Sequence, residues 1–125
     1  DVSDRMTPQI GQYRQVGLGL HLLVDGLTAT PPDVPKVEQF IHGVVQEAGL
    51  YIVVGPFFYK HESYQEAFAV IAESHTSVKW WPSGLILVDL FSCKVFDTEA
   101  VASFTVKAFG LEHWEHRVVE RMGIG

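Results

Sequence analysis

Apolar positions recur along this chain with two different periods. Val37, Phe40, Ile41, Val44, Val45 and Ala48 are three and four residues apart, which lines one stripe of a helix. Asp33 is placed to cap its start, beside the proline-rich loop at 30–35, and Gly49 to stop it. A second stripe, Val101, Phe104 and Ala108, predicts a helix capped by Asp97 or Thr98 and ended by Gly110. Elsewhere the pattern is extended. Residues 17–25 form a nearly continuous apolar run, as in a strand covered on both faces or one that meets a partner. Residues 51–59 are β-branched and aromatic, 85–91 form a further strand, and 112–120 alternate roughly as a last one. Residues 67–81 also read as extended, with an interruption at Glu73-Ser74, and Pro82-Ser83-Gly84 ends the run in a turn.

Strand, helix, several strands, helix, strand is an order that predicts an α+β two-layer sandwich. Its sheet is mainly antiparallel, with two helices on one face. Residues 1–15 are polar and lack a period, which reads as a flexible N-terminal arm; 16–125 then form a single domain. The two halves mirror each other loosely as strand–helix–strand, without a repeat at the residue level.

Composition narrows the function classes. A chain of 125 residues with 47% hydrophobic and 19% charged positions builds one globular core. A net charge of −6 with no cluster of Lys or Arg argues against a nucleic-acid surface. The apolar runs at 16–24 and 85–90 are too short to span a bilayer, and no signal peptide is visible, so no membrane partner is expected. The lone Cys93 forms no internal disulfide and fits a reducing cytoplasm; taken alone, it reads as a small buried hydrophobe.

Ser74 stands between a carboxylate and an imidazole, in Glu73-Ser74-His75. A nucleophilic serine needs a base and an orienting acid, yet the Gly-x-Ser-x-Gly elbow of a hydrolase is absent, as is any glycine-rich phosphate loop. His113 and His116 have the spacing of a metal pair on a helix, but strand alternation puts them on opposite faces, so no metal is expected. His21, inside an apolar strand, reads as a structural or interface residue. Asp89 either turns away from its apolar neighbours or is paired. Phe57, Phe58, Trp80 and Trp81 offer rings for stacking on a substrate; Phe57 and Phe58, taken singly, read as core.

Glu73-Ser74-His75, followed by Trp81-Pro82 and the strand from Val88 through Asp89 and Phe91 to Cys93, resembles the small prokaryotic type of S-adenosylmethionine decarboxylase. Residues 19–23 resemble that family's opening strand, with Leu20 where an arginine usually stands. The resemblance implies a proenzyme of polyamine biosynthesis. Ser74 attacks the carbonyl of Glu73, the chain is cut, and a pyruvoyl group remains on the new N-terminus as the only cofactor. Strain at the reacting position is expected to favour that shift. The ketone then forms a Schiff base with an amino-acid substrate and accepts electrons as CO₂ leaves. Cys93 matches the residue that reprotonates the product, and a homodimer through the sheet surface, with sites near the interface, is implied.

The chain departs from the family at three places. Lys79 replaces a processing histidine, and a lysine serves as a base only where burial or another cation disfavours its charge. Glu66 stands where a serine assists processing, with His61 and His75 as further candidates. Ser83 replaces the glutamate that holds the ribose of S-adenosylmethionine, and one residue of that turn is missing. Loss of a carboxylate that accepts two hydroxyls weakens nucleoside binding by about tenfold or more. S-adenosylmethionine is the substrate the resemblance implies. Arginine or ornithine is the alternative that Ser83 raises, and a non-processing regulatory paralogue or unrelated binding module is the one that Lys79 and Glu66 raise.

Overall fold

The computed structural model describes residues 18–122; the N-terminal arm read at 1–15 lies outside them. In chain order the elements are β1 (Leu18–Thr28), α1 (Val34–Glu47), β2 (Tyr51–Lys60), β3 (Gln65–Ala72), β4 (Ser74–Trp80), β5 (Leu85–Ser92), α2 (Thr98–Phe109) and β6 (Leu111–Met122). The strands form one six-stranded sheet in the order β2-β3-β4-β5-β1-β6, and every neighbouring pair is antiparallel. Both helices lie against one face, which is the two-layer α+β sandwich expected from the pattern.

The helices start where their caps dictate. A carboxylate oxygen of Asp33 accepts from the Lys36 N–H at 3.0 Å, and one of Asp97 from the Ala100 N–H at 3.0 Å, so Asp97 rather than Thr98 is the cap. Val37, Phe40, Ile41, Val44 and Val45 of α1 are buried against alternate residues of the sheet: Leu22 and Val24, Ala67, Ala69 and Ile71, Val78 and Trp80, Ile86, Val88 and Leu90. Burying a large apolar side chain of this kind is worth about 1.5–3 kcal/mol. Trp80 is therefore a core residue and not a stacking platform.

Among the described residues, none forms a layer on the opposite sheet face. His21, Leu23, Asp25 and Leu27 of β1 lie there, with His75, Ser77 and Lys79 of β4 and Leu87, Asp89 and Phe91 of β5. Leu27, Phe57, Phe68, Val70 and Val119 are exposed on this side of the chain.

Two expectations change here. The interruption at Glu73-Ser74 is a tight hairpin: Ile71 pairs with Ser74 and Val70 with His75, so the chain reverses at Ala72-Glu73 and β4 starts at Ser74. No described non-glycine residue has a positive φ, so the strain expected at the reacting position is not of that kind. Phe57 and Phe58 are exposed rather than core, because β2 is an edge strand most of whose residues stay exposed.

Candidate active site

Residues 73, 74, 75 and 93 meet at one end of the sheet. Register brings this about: the hairpin at Ala72-Glu73 fixes β4, and the turn at residues 81–84 folds β5 back so that Ser74 lies opposite Ser92. Cys93, one residue further on, donates its backbone N–H to the carbonyl oxygen of Glu73 at 3.2 Å. The Ser74 hydroxyl lies 3.0 Å from Nδ1 of His75 and donates to it when the ring carries its proton on Nε2. The bond between positions 73 and 74 thus has a hydroxyl with an imidazole on one side and a backbone donor on its carbonyl. Cys93 is a free, half-buried cysteine.

Phe91 is the wall behind this cluster. Its ring is 9% exposed, lies 5.9 Å from the His75 ring and 5.9 Å edge-on from His21, and has the Arg121 guanidinium 4.6 Å from its centroid. Gly19 allows that approach, since a Cβ there sits 3.0 Å from the Phe91 ring. Asp89, undecided from the sequence, is paired: one of its carboxylate oxygens is 2.9 Å from Nε2 of His21. Neither Phe91 nor Arg121 was a candidate, although Phe91 alternates with Asp89 and so shares the open face with His75.

Glu66, Lys79, Trp81, Ser83 and His61 collect at the other end. Glu66 and Lys79 face each other across β3 and β4. Lys79 is five residues from Ser74 along β4, roughly 16 Å at strand spacing, so the structure does not bring it to Ser74 of its own chain. Its ammonium rests 4.2 Å from the Tyr64 ring centroid and 5.5 Å from that of Trp81, two faces that attract a cation. Trp81 is half-buried, and Ser83 is exposed in the turn that follows. His61 stacks on Tyr64 at 4.7 Å, and a cleft of about 240 Å³ lies beside them, lined by Pro31, Pro32, His61, Tyr64, Trp80 and Pro82 among others. Phe57 contacts Phe68 at 5.4 Å on the outer strands of this sheet. Among the described residues no group of three or more His, Cys, Asp or Glu side chains is arranged to hold a metal, and His113 and His116 fall on opposite faces of β6. No described helix is long and apolar enough to cross a membrane.

Comparison with known proteins assigns the chain as a whole. The family model for S-adenosylmethionine decarboxylase matches residues 20–122, which include both ends of the sheet. The S-adenosylmethionine decarboxylase proenzyme of Thermodesulfovibrio yellowstonii is 29% identical over 97 residues, covering 74% of this chain and 72% of that one. The crystal structure of the adenosylmethionine decarboxylase from Aquifex aeolicus superposes with a TM-score of 0.70 at 24% identity, over 87% of this chain and 93% of that one. The chain belongs to the S-adenosylmethionine decarboxylase family.

Proposed function

We propose that this chain is a self-processing decarboxylase of polyamine biosynthesis that acts on S-adenosylmethionine, with a pyruvoyl group made from Ser74. What supports the reading is the meeting of Ser74, the Glu73 carbonyl and Cys93 at one sheet end, in a chain of the decarboxylase family. These residues fit the group. Ser74 supplies the three carbons, His75 is within hydrogen-bond reach of its hydroxyl, and the carbonyl to be attacked is already held. Once formed, the ketone supplies an electron sink for a substrate amine whose carboxylate leaves as CO₂. The work left to the side chains is to deliver a proton and to hold the substrate. Cys93, half-buried and next to the new N-terminus, is the donor to the carbon that has lost CO₂.

The substrate-binding candidates Trp81 and Ser83 lie at the far end of the sheet from Ser74, as do Lys79 and Glu66, and Phe57 lies level with the middle of β4. Two copies that pack their open faces in opposite senses set one chain's far end beside the other's Ser74, and cover Leu27, Phe68 and Val119. A homodimer with composite sites is therefore part of the reading. So is a reducing, cytoplasmic setting, in which the single thiol stays free. Ser83 offers one hydroxyl to a ribose in place of a bidentate carboxylate, which predicts loose nucleoside binding and a high KM. Release of CO₂ from carboxyl-labelled S-adenosylmethionine, arginine and ornithine tests the proposal. Turnover of S-adenosylmethionine well above the other two is expected. Preference for arginine or ornithine refutes the substrate, and silence with all three refutes the activity.

A further inference from the structure

Resting on the decarboxylase reading above, we propose that Arg121 holds the α-carboxylate of the substrate and so lets the site tell the amino acid from the amine it becomes. The residue belongs to β6, yet its side chain ends two strands away. Arg121 pairs with Gly19 of β1, and with no side chain at Gly19 the guanidinium reaches across to lie 4.6 Å from the Phe91 ring centroid on β5. A Cβ at Gly19 would stand 3.0 Å from that same ring. Phe91 in turn lies 5.9 Å from the His75 ring, whose Nδ1 is 3.0 Å from Ser74 Oγ. A permanent cation is thereby carried from an edge strand to the cluster around Ser74.

Other charges on this face are engaged. The Asp25 carboxylate is 3.4 Å from Arg117, that of Asp89 is 2.9 Å from His21, and the Lys79 ammonium lies on two rings at the far end. Arg121 has no ion-pair partner among the described residues. The Phe91 face attracts its charge but offers no lone pair to its five N–H donors. That fork matches a carboxylate in two parallel bonds. The amine of the substrate has to reach position 74, and its side chain extends toward the Trp81 and Ser83 end that a second copy supplies. The carboxylate, on the same carbon as the amine, is left to the wall made by Phe91 and Arg121. S-adenosylmethionine, arginine and ornithine all carry this group, so the assignment does not depend on which of them is used.

The carboxylate loses its charge as CO₂ leaves. Its contact with Arg121 is therefore strongest before the reaction and absent in the product, so it adds affinity for the substrate rather than rate. Charge-assisted bonds of this kind, once lost, weaken binding of the acid by about tenfold to a hundredfold. The amine product, which has no carboxylate, loses nothing and leaves the site.

The test compares processed wild type with Arg121→Ala and Arg121→Lys. Calorimetry uses two probes derived from the amino acid that wild type turns over best. One is its amine product; the other is its deamino analogue, which keeps the carboxylate and has no amine to join the ketone. Arg121→Ala is expected to be cut normally by mass and to bind the deamino analogue at least about tenfold more weakly, with binding of the amine product within about twofold of wild type. Its KM is expected to rise at least about tenfold while kcat holds. Arg121→Lys, which keeps the charge without the fork, is expected to fall between. Lys94→Ala, which removes an exposed cation one residue past Cys93, is expected to bind both probes like wild type. Unchanged binding of the deamino analogue in Arg121→Ala overturns the proposal, as does equal weakening of both probes, the mark of a residue that only packs on Phe91. Selective loss of the analogue in Lys94→Ala overturns it as well. So does an Arg121→Ala chain that stays whole, because a carboxylate clamp acts after cleavage. Each of these leaves the decarboxylase reading intact. A wild-type chain that is never cut and releases no CO₂ from any of the three amino acids removes that reading, and this role of Arg121 with it.

Discussion

Truncating Phe91 to alanine separates a packing residue from a reactive one. The ring is 9% exposed and is touched on three sides by His21, His75 and Arg121. Phe→Ala in an enclosed core costs about 3–5 kcal/mol. Phe91 lies on the sheet face away from the helices, so its neighbours close part of the gap, and the cost falls to the bottom of that range or just below it, about 2–3 kcal/mol. Loss of the guanidinium over the ring adds about 0.5–1 kcal/mol. The sum, about 3 kcal/mol, is smaller than the roughly 5–15 kcal/mol stability usual for a domain, so the fold survives. For a chain of this length it lowers Tm by about 10–15 °C. Without the wall, the His75 ring divides its time among staggered rotamers and cleavage slows about three- to tenfold. Unfolding is best followed in the Ser74→Ala background, where the chain stays whole, and cleavage with Ser74 intact. A Tm within about 3 °C of the parent, together with an unchanged cleavage rate, refutes the role given to Phe91.

Three further outcomes follow from the same geometry. Cys93→Ala keeps the backbone donor and is expected to cut normally while CO₂ release falls at least about tenfold, read by mass and by label; unchanged turnover returns Cys93 to packing. Gly84→Ala is expected to destabilise by more than about 2 kcal/mol in urea unfolding, because φ there is +98° and the new Cβ falls 2.2 Å from the Thr28 carbonyl oxygen; a loss under about 0.5 kcal/mol contradicts the tight β1–turn contact. Phe68→Asp puts a charge on the open face and is expected to shift the chain to monomer in sedimentation, with turnover lost and cleavage kept; an unshifted dimer refutes the packing of that face.

Much of the fold was legible because helix and strand periods do not overlap in this chain. The stripe from Val37 to Val45 is the face that α1 buries, and Asp33 and Asp97 are the caps. The hairpin at Ala72-Glu73 was hidden, since it holds no Gly, Pro or Asn and strands of period two flank it on both sides. Glu66 and Lys79 were matched to processing positions by counting along the chain, and counting carries no register; the structure pairs them with each other at the far end of β3 and β4. Alternation did carry the difference between the two tryptophans. Thr76, Val78 and Trp80 share the core face, and His75, Ser77 and Lys79 the other. The exposure of Phe57 and Phe58 was not legible, because aromatic and β-branched composition marks a strand without telling an edge from a centre. Cys93 was found through resemblance, and its place beside Glu73 depends on the β4–β5 register that the turn at Pro82-Ser83-Gly84 sets.

Intact mass of purified wild-type protein, before and after borohydride in the presence of S-adenosylmethionine, bears most directly on the chemistry assigned to Ser74. The account predicts two fragments that meet between Glu73 and Ser74, the second beginning with a pyruvoyl group and gaining the reduced adduct of the amine. A chain that stays whole on prolonged incubation, with no adduct formed, contradicts it.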